Sequence, residues 1–313
     1  MIFLVFLIVF GVLAFVFLIV LIYFFCVAFV RQNLGDFNDV NSPVNKPLEK
    51  FKDIISGGIE YIKNTPCKEV NVVSYDGLTL FARYFDNKSD KTVILLHGYR
   101  SSAMRDFSCA VKMYTDFGFN VLLCDQRAQG LSEGNLITFG IKESYDVISW
   151  VEFITEKFAT KKILLGGLSM GATTVLLSCS HNLPDSVKGM VADCGFTSPV
   201  AIINKVAKQH FKINANLVLP FLNIFCLLFG KFSIYGHNTK DAIKDSKIPI
   251  LFIHGKNDGF VPCSMTEEAF ACANSDSKLL IVDGADHGLS FLVDRETVLS
   301  EIKAFLKNSQ LLQ

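Results

Sequence analysis

The sequence predicts an α/β fold, a mostly parallel sheet covered by helices on both faces, preceded by one membrane-spanning helix. Three observations predict it. Ile2 to Val30 contains no charged residue and is almost wholly apolar. From Glu69 onward a hairpin signal gives way to short apolar runs alternating with helix-period segments. Midway through that alternation, Gly166-Gly167-Leu168-Ser169-Met170-Gly171-Ala172 joins an apolar strand to an apolar segment without a helix breaker.

At ~1.5 Å per residue, the run from Ile2 to Val30 is longer than a ~30 Å hydrocarbon core requires. A secretory leader would place basic residues first, then a shorter apolar region and a small-residue cleavage site. Here Arg31, the first basic residue, follows the run, and no A-x-A site is visible. Residues 1–30 therefore read as an uncleaved, single-pass anchor. Basic residues lie only on its C-terminal side (Arg31, Lys46, Lys50, Lys52), which favours a cytoplasmic main domain. Gln32 to Lys46 is polar and linker-like. Leu48, Phe51, Ile54, Ile55, Ile59 and Ile62 then recur at helical spacing with Pro47 near the start, although Gly57-Gly58 weakens a helix there. Residues 31–67 thus form a linker and an amphipathic helix.

The main domain is expected over 68–313. Val70 to Tyr75 and Leu78 to Phe85 flank Asp76-Gly77, a two-residue hairpin signal. Lys91 to Leu96 reads as a buried strand, Asp106 to Phe117 as a helix, and Phe119 to Cys124 as the next strand. Ile141, Tyr145, Ile148, Val151 and Phe158 mark a helix before the strand at Lys161 to Leu165. Strands follow at Val187 to Ala192, Ile248 to Ile253 and Lys278 to Val282, with helices near Met265 to Cys272 and from about Phe291. Between two of these strands, about 196–247, an insert reads as a cap. Within it Leu217 to Phe229 is nearly all apolar, contains Pro220 and is too short to span a bilayer. It is a lid helix packed on the domain, a wall of an acyl-chain pocket, or a membrane-touching segment.

Composition narrows the function. The 313 residues are enough for one large domain plus extras, and the formal net charge is zero, so no nucleic-acid partner is indicated. The nine cysteines are an odd number without a C-x-x-C pair. Buried free thiols in a reducing compartment are expected, over disulfides or a metal site. His181, His210 and His237 have no convergent ligands, and no metal or cofactor is implied.

Chemistry is carried by the glycine-flanked serine. G-x-S-x-G between a strand and a helix is a nucleophile elbow: the turn strains the serine backbone, and glycines let strand and helix approach. The hydroxyl is held above the sheet, with helix N-terminal amides facing the place where an oxyanion would form.

Together with His97-Gly98-Tyr99 and Asp125-Gln126-Arg127-Ala128-Gln129-Gly130-Leu131-Ser132, the elbow resembles the α/β-hydrolase superfamily. The nearest branch is the serine-aminopeptidase-like or esterase-like hydrolases, which in bacteria are often membrane-anchored. The resemblance covers roughly Lys68 to Lys307 and implies an α/β-hydrolase fold with a small helical cap. It implies partners in the order Ser, Asp, His, each on a loop after a later strand. Ser169, Asp258 and His287 are accordingly the expected nucleophile, orienting acid and general base. Asp193, ending the strand after the elbow, is the alternative acid. Asp286 is a helix cap or loop acid, Asp283 is structural, and His254 is a strand-end histidine packed beneath the site. Asp125 and Arg127 form a structural turn pair, or contact substrate.

The backbone amides of Met170 and Tyr99 are the expected oxyanion donors, and the Tyr99 ring either walls the pocket or has no such role. Lacking an Asp nucleophile, the chain is not expected to do dehalogenase or epoxide-hydrolase chemistry. The expectation is a cofactor-free serine hydrolase acting on carboxylic esters, favouring lipid esters or thioesters. A serine aminopeptidase-like peptidase, or a non-catalytic membrane interaction module of the same fold, is the alternative.

Overall fold

Eight strands form one sheet in the order β1-β2-β4-β3-β5-β6-β7-β8. They are β1 (Lys68–Val73), β2 (Thr79–Phe85), β3 (Lys91–Leu96), β4 (Asn120–Cys124), β5 (Lys162–Leu168), β6 (Val187–Asp193), β7 (Ile250–Gly255) and β8 (Lys278–Val282). A computed structural model of the protein describes residues 2–312. Met1 and Gln313, the outer ends of the expected anchor and main domain, lie outside the described residues, as does the side chain of Pro47.

The β1–β2 hairpin and the β2–β4 pair are antiparallel, and every pairing from β4 through β3 to β8 is parallel. Parallel strands need crossovers, and the intervening helices supply them on both faces. Strand β3 shows why both faces are dry. Val93 and Leu95 enter the core under α2 (Lys52–Asn64), α4 (Ala110–Asp116) and α12 (Arg295–Asn308), whereas Ile94 and Leu96 enter the opposite core, under α5 (Glu143–Phe158) and α6 (Met170–Leu177). The remaining helices are α1 (Ile2–Phe29), α3 (Ala103–Asp106), α7 (Pro199–Val206), α8 (Leu219–Phe225), α9 (Thr239–Ile243), α10 (Cys263–Phe270) and α11 (Ser290–Val293).

Several elements depart from their sequence-level boundaries. The amphipathic stretch is a 3₁₀ segment, Pro43–Phe51, followed by α2. Gly57-Gly58 does not break α2. A Cβ at Gly58 would overlap the Ser108 carbonyl, so the glycine lets helix and loop backbones touch. The single helix expected over Asp106 to Phe117 is two short ones, α3 and α4, with Ser102 capping the first through the Arg105 amide.

The insert expected as a cap, about 196–247, contains α7, whose N-terminus Ser198 caps, and α8 with Pro220 in its first turn. Single π-type turns follow α7 and α8 at Ala207–Phe211 and Cys226–Gly230.

Helix α1 is 28 residues long and apolar enough to cross a membrane. Its first four turns are exposed, but Leu21, Phe25 and Phe29, spaced by four, are buried. They join a third core cluster with Phe196, Leu219, Leu222 and Cys226 of the insert between β6 and β7 and with Phe139 and Met170. Fully burying one such phenylalanine contributes on the order of 2 kcal/mol. The chain leaving α1 is also fastened: Val30 bridges Leu136, the Arg31 amide donates to the Asn135 carbonyl at 2.8 Å, and the Arg31 guanidinium donates to the carbonyls of Gly130 (2.7 Å) and Ser132 (2.8 Å).

Candidate active site

Ser169 sits between β5 and α6 with φ 55° and ψ −116°, a conformation non-glycine residues rarely adopt. Its neighbours explain how the fold holds it there. A Cβ at Gly171 would fall on the Leu96 carbonyl of β3, and one at Gly167 on the Gly171 carbonyl, so neither position admits a side chain. The Ser169 amide donates to the Asp193 carbonyl at 2.8 Å, tying the turn to the end of β6.

Two later loops reach the same point. After β8, His287 places Nε2 2.9 Å from Ser169 Oγ. After β7, Asp258 places Oδ2 2.7 Å from His287 Nδ1. Burial pushes the Asp258 carboxyl up, but hydrogen bonds from His254 and His287 and from the Val261 amide outweigh it and hold the acid well below the usual carboxylate range. An ionised carboxylate only accepts, so Nδ1 carries a hydrogen and Nε2 is left to accept from the serine hydroxyl. Asp258 Oδ1 is held in turn by the amides of Phe260 and Val261, both at 2.8 Å.

The Tyr99 amide belongs to the loop after β3, and the Met170 amide opens α6. Among the described residues neither donates to a protein acceptor. Two cavities meet at Ser169. One, of about 250 Å³, lies between α1, the cap and Tyr99. The other, of about 270 Å³, runs beneath the loop toward α2 and α12 and is lined by Asp106, Asp193 and His287 among apolar neighbours.

Residues 87–224 match the family described as "Serine aminopeptidase, S33", and residues 233–312 match the one described as "TAP-like protein". The esterase Pf2001 of Pyrococcus furiosus superposes with a TM-score of 0.63 at 27% identity, covering 82% of this chain and 94% of its own. This chain belongs to the α/β-hydrolase superfamily. Among curated relatives of this hydrolase, YqkD of Bacillus subtilis (strain 168), an uncharacterized protein, is 27% identical over 218 residues, 69% of this chain and 71% of YqkD. The Arabidopsis thaliana "Alpha/beta hydrolase domain-containing protein WAV2" is 25% identical over 207 residues, with 62% of this chain and 63% of WAV2 covered.

One expected pair of polar residues is not formed. Arg127 does not pair with Asp125. Its buried guanidinium bonds to Asp146 (Nε to Oδ2, 2.6 Å) and forks onto Asp76 at 2.9 and 3.0 Å, joining the β1–β2 turn to α5. Asp125 Oδ2 instead accepts from the Leu131 amide, with Gly130 packed against that carboxylate. Asp286 accepts from the amides of Gly259 and His287, and Asp283 pairs on the surface with Lys256. Asp193 accepts from Ser290 at 3.3 Å, and burial raises its pKa to about 6.

His254 is wholly covered. Its Nε2 lies 3.0 Å from the Val261 carbonyl and 3.1 Å from Asp258 Oδ2. A carbonyl only accepts, so Nε2 carries the hydrogen and His254 is a second donor to Asp258. Sequence reasoning assigned it no partner, and only its position four residues before Asp258 on a strand end hinted at one.

All nine cysteines are free, three of them buried. Cys194, Asp258 and His287 present ligand-type atoms within 4.8 Å of one another. Burial, with Asp193 and Asp258 nearby, raises the Cys194 thiol well above its ordinary value.

Proposed function

We propose that the protein is a serine hydrolase that cleaves carboxylic esters through an acyl-enzyme. The observation that carries the reading is the hydrogen-bonded chain Ser169 Oγ–His287 Nε2, His287 Nδ1–Asp258 Oδ2, with the serine held on a strained turn at the mouth of two cavities. In the reaction, Ser169 Oγ attacks the ester carbonyl while His287 Nε2 takes its proton. Asp258 holds the ring in the tautomer that can do so and stabilises the imidazolium. The amides of Tyr99 and Met170 receive the oxyanion, each worth about 3 kcal/mol of transition-state stabilisation. His287 then gives the proton to the departing alkoxide. Water, deprotonated by the same nitrogen, releases the acid.

Lipid esters or acyl thioesters are the favoured substrates. The cavity between α1 and the cap is apolar, and the exposed cap residues Leu217, Phe221, Ile224, Leu228 and Phe229 offer a lipid-compatible face beside α1. Helix α1 acts as a retained anchor, because its last turns are built into the domain core rather than hanging free. The main domain lies on the cytoplasmic side, by the placement of Arg31, Lys46, Lys50 and Lys52. A peptidase releasing N-terminal residues is the weaker reading: it needs a free acid for the amine, the cap's Asp241 and Asp245 line neither cavity, and of the acids that do, Asp106 is held by Arg105, Ser101 and the Gly98 amide and Asp193 accepts from Ser290.

A fluorophosphonate probe tests the mechanism on the full chain in detergent. Labelling of the wild type and none of Ser169→Ala is expected. Labelling that survives Ser169→Ala would exclude this mechanism, and its absence from the wild type would leave a non-catalytic module as the better account.

A further inference from the structure

We infer that the last turns of α1 are a wall of the acyl-chain subsite, so that Phe24 and Ala28 set the chain length the enzyme accepts. This rests on the ester-hydrolase reading above. The two cavities meeting at Ser169 differ in chemistry. The one that reaches toward α2 and α12 holds the charged side chains Arg105, Asp106 and Asp193 among apolar neighbours, and so can meet a polar leaving group. The other is lined by hydrocarbon side chains apart from Ser169, Tyr99 and Arg100, and its walls come from Phe24, Val27 and Ala28 on one side and from Ile202, Val206 and Leu222 of the cap on the other. An acyl group bonded to Ser169 Oγ that enters this second space meets no acid, and its hydrocarbon stays dry there.

The wall is fixed in place, not merely nearby. The Tyr99 hydroxyl donates to the carbonyls of Ala28 (2.8 Å) and Val27 (3.2 Å), and Arg100 Nη2 donates to the Val30 carbonyl at 3.0 Å. The loop that carries the Tyr99 amide is thereby fastened to the end of α1, which at a helix C-terminus has carbonyls to spare. Phe24 meets Phe211, and further along α1 Phe17 meets Phe221, edge-to-face with centroids 5.2 Å apart in both pairs. Phe17 lies about 18 Å along the helix axis from Phe29, the last residue of α1. The same helix that faces lipid on one side therefore faces the acyl cavity on the other. A chain carried on a membrane lipid needs to cross no water to reach Ser169.

The test measures kcat/KM for p-nitrophenyl esters from acetate to palmitate with the full-length protein in micelles. Ala28→Trp, which fills the cavity, should lower the palmitate-to-acetate ratio at least tenfold. Phe24→Ala, which lengthens it, should move the preferred chain to longer acids. Val12→Trp, on the exposed face of α1, should keep the wild-type ratio. Fluorophosphonate labelling separates the two levels of failure. Wild type that neither labels nor hydrolyses any ester overturns the hydrolase reading and this inference with it. Wild type that does both, with Phe24→Ala keeping the original ratio and Ala28→Trp, where it still labels, doing the same, overturns this inference alone. If Ala28→Trp fails to label, Phe24→Ala decides by itself.

Discussion

His254 holds a hydrogen that the Val261 carbonyl and the Asp258 carboxylate share, and its ring is completely covered. Replacing it with leucine leaves Asp258 short of one donor. Because the folded carboxyl is depressed, it contributes stability that is present above the unfolded pKa near 3.9 and lost as pH falls below it. His254→Leu should therefore cost about 1–2 kcal/mol at pH 7, and the gap in melting temperature to wild type should narrow at pH 3. A gap equal at both pH values would refute the shared-hydrogen account. Asp193 has the opposite sign. Its folded pKa, raised to about 6, means that stability is lost as pH climbs from about 4 through 6. Asp193→Asn should raise the melting temperature at pH 8, by up to about 2 kcal/mol of stability, and leave it little changed at pH 4. Differential scanning fluorimetry at the two pH values checks both substitutions.

At the scale of elements, the elbow is governed by backbone approach. Since a Cβ at Gly171 would collide with the Leu96 carbonyl, Gly171→Ala must push α6 off β3. About 2–3 kcal/mol of destabilisation is expected, with loss of fluorophosphonate labelling; a variant that melts and labels like wild type would show that the turn has slack. Features of this kind are legible from the chain alone because they are local: Gly-x-Ser-x-Gly, the Asp76-Gly77 hairpin and the alternation of apolar runs each act over a few residues. The strand positions could be read for the same reason. What sequence could not reveal was set by partners far away. Gly58 looks like a helix weakener until the Ser108 carbonyl is placed against it. Arg127 looks like a partner for Asp125 until Asp76, 51 residues back, is seen to hold it. The second donor to Asp258 was hidden because a buried histidine on a strand end reads as packing.

For the whole molecule the decisive non-local fact is the docking of α1. A charge-free helix followed by a polar stretch reads as a tether, and nothing in its composition says that Leu21, Phe25 and Phe29 belong to the domain core. Tyr99→Phe removes the hydroxyl bonds to Val27 and Ala28 while keeping the Tyr99 amide. It should slow fluorophosphonate labelling by roughly three- to tenfold, about 1 kcal/mol; a rate equal to wild type would mean the loop is held without α1. The side of the membrane is open to a chemical test. Cys67 is exposed at the start of the sheet, so an impermeant maleimide should reach it in permeabilised cells and not in intact ones, with Cys67→Ser as control. Labelling in intact cells would reverse the orientation.

The clasp of Arg31 on Gly130 and Ser132, with the Val30–Leu136 bridge, leaves no slack between helix and domain. An enzyme on a loose leash can tumble and sample solutes from every direction. On the lipid-ester reading proposed above, one riveted to its anchor keeps a constant tilt and altitude, and finds its substrates by lateral diffusion in two dimensions. Its rate should then follow the mole fraction of substrate within the leaflet and stay indifferent to how much total lipid is suspended in the tube.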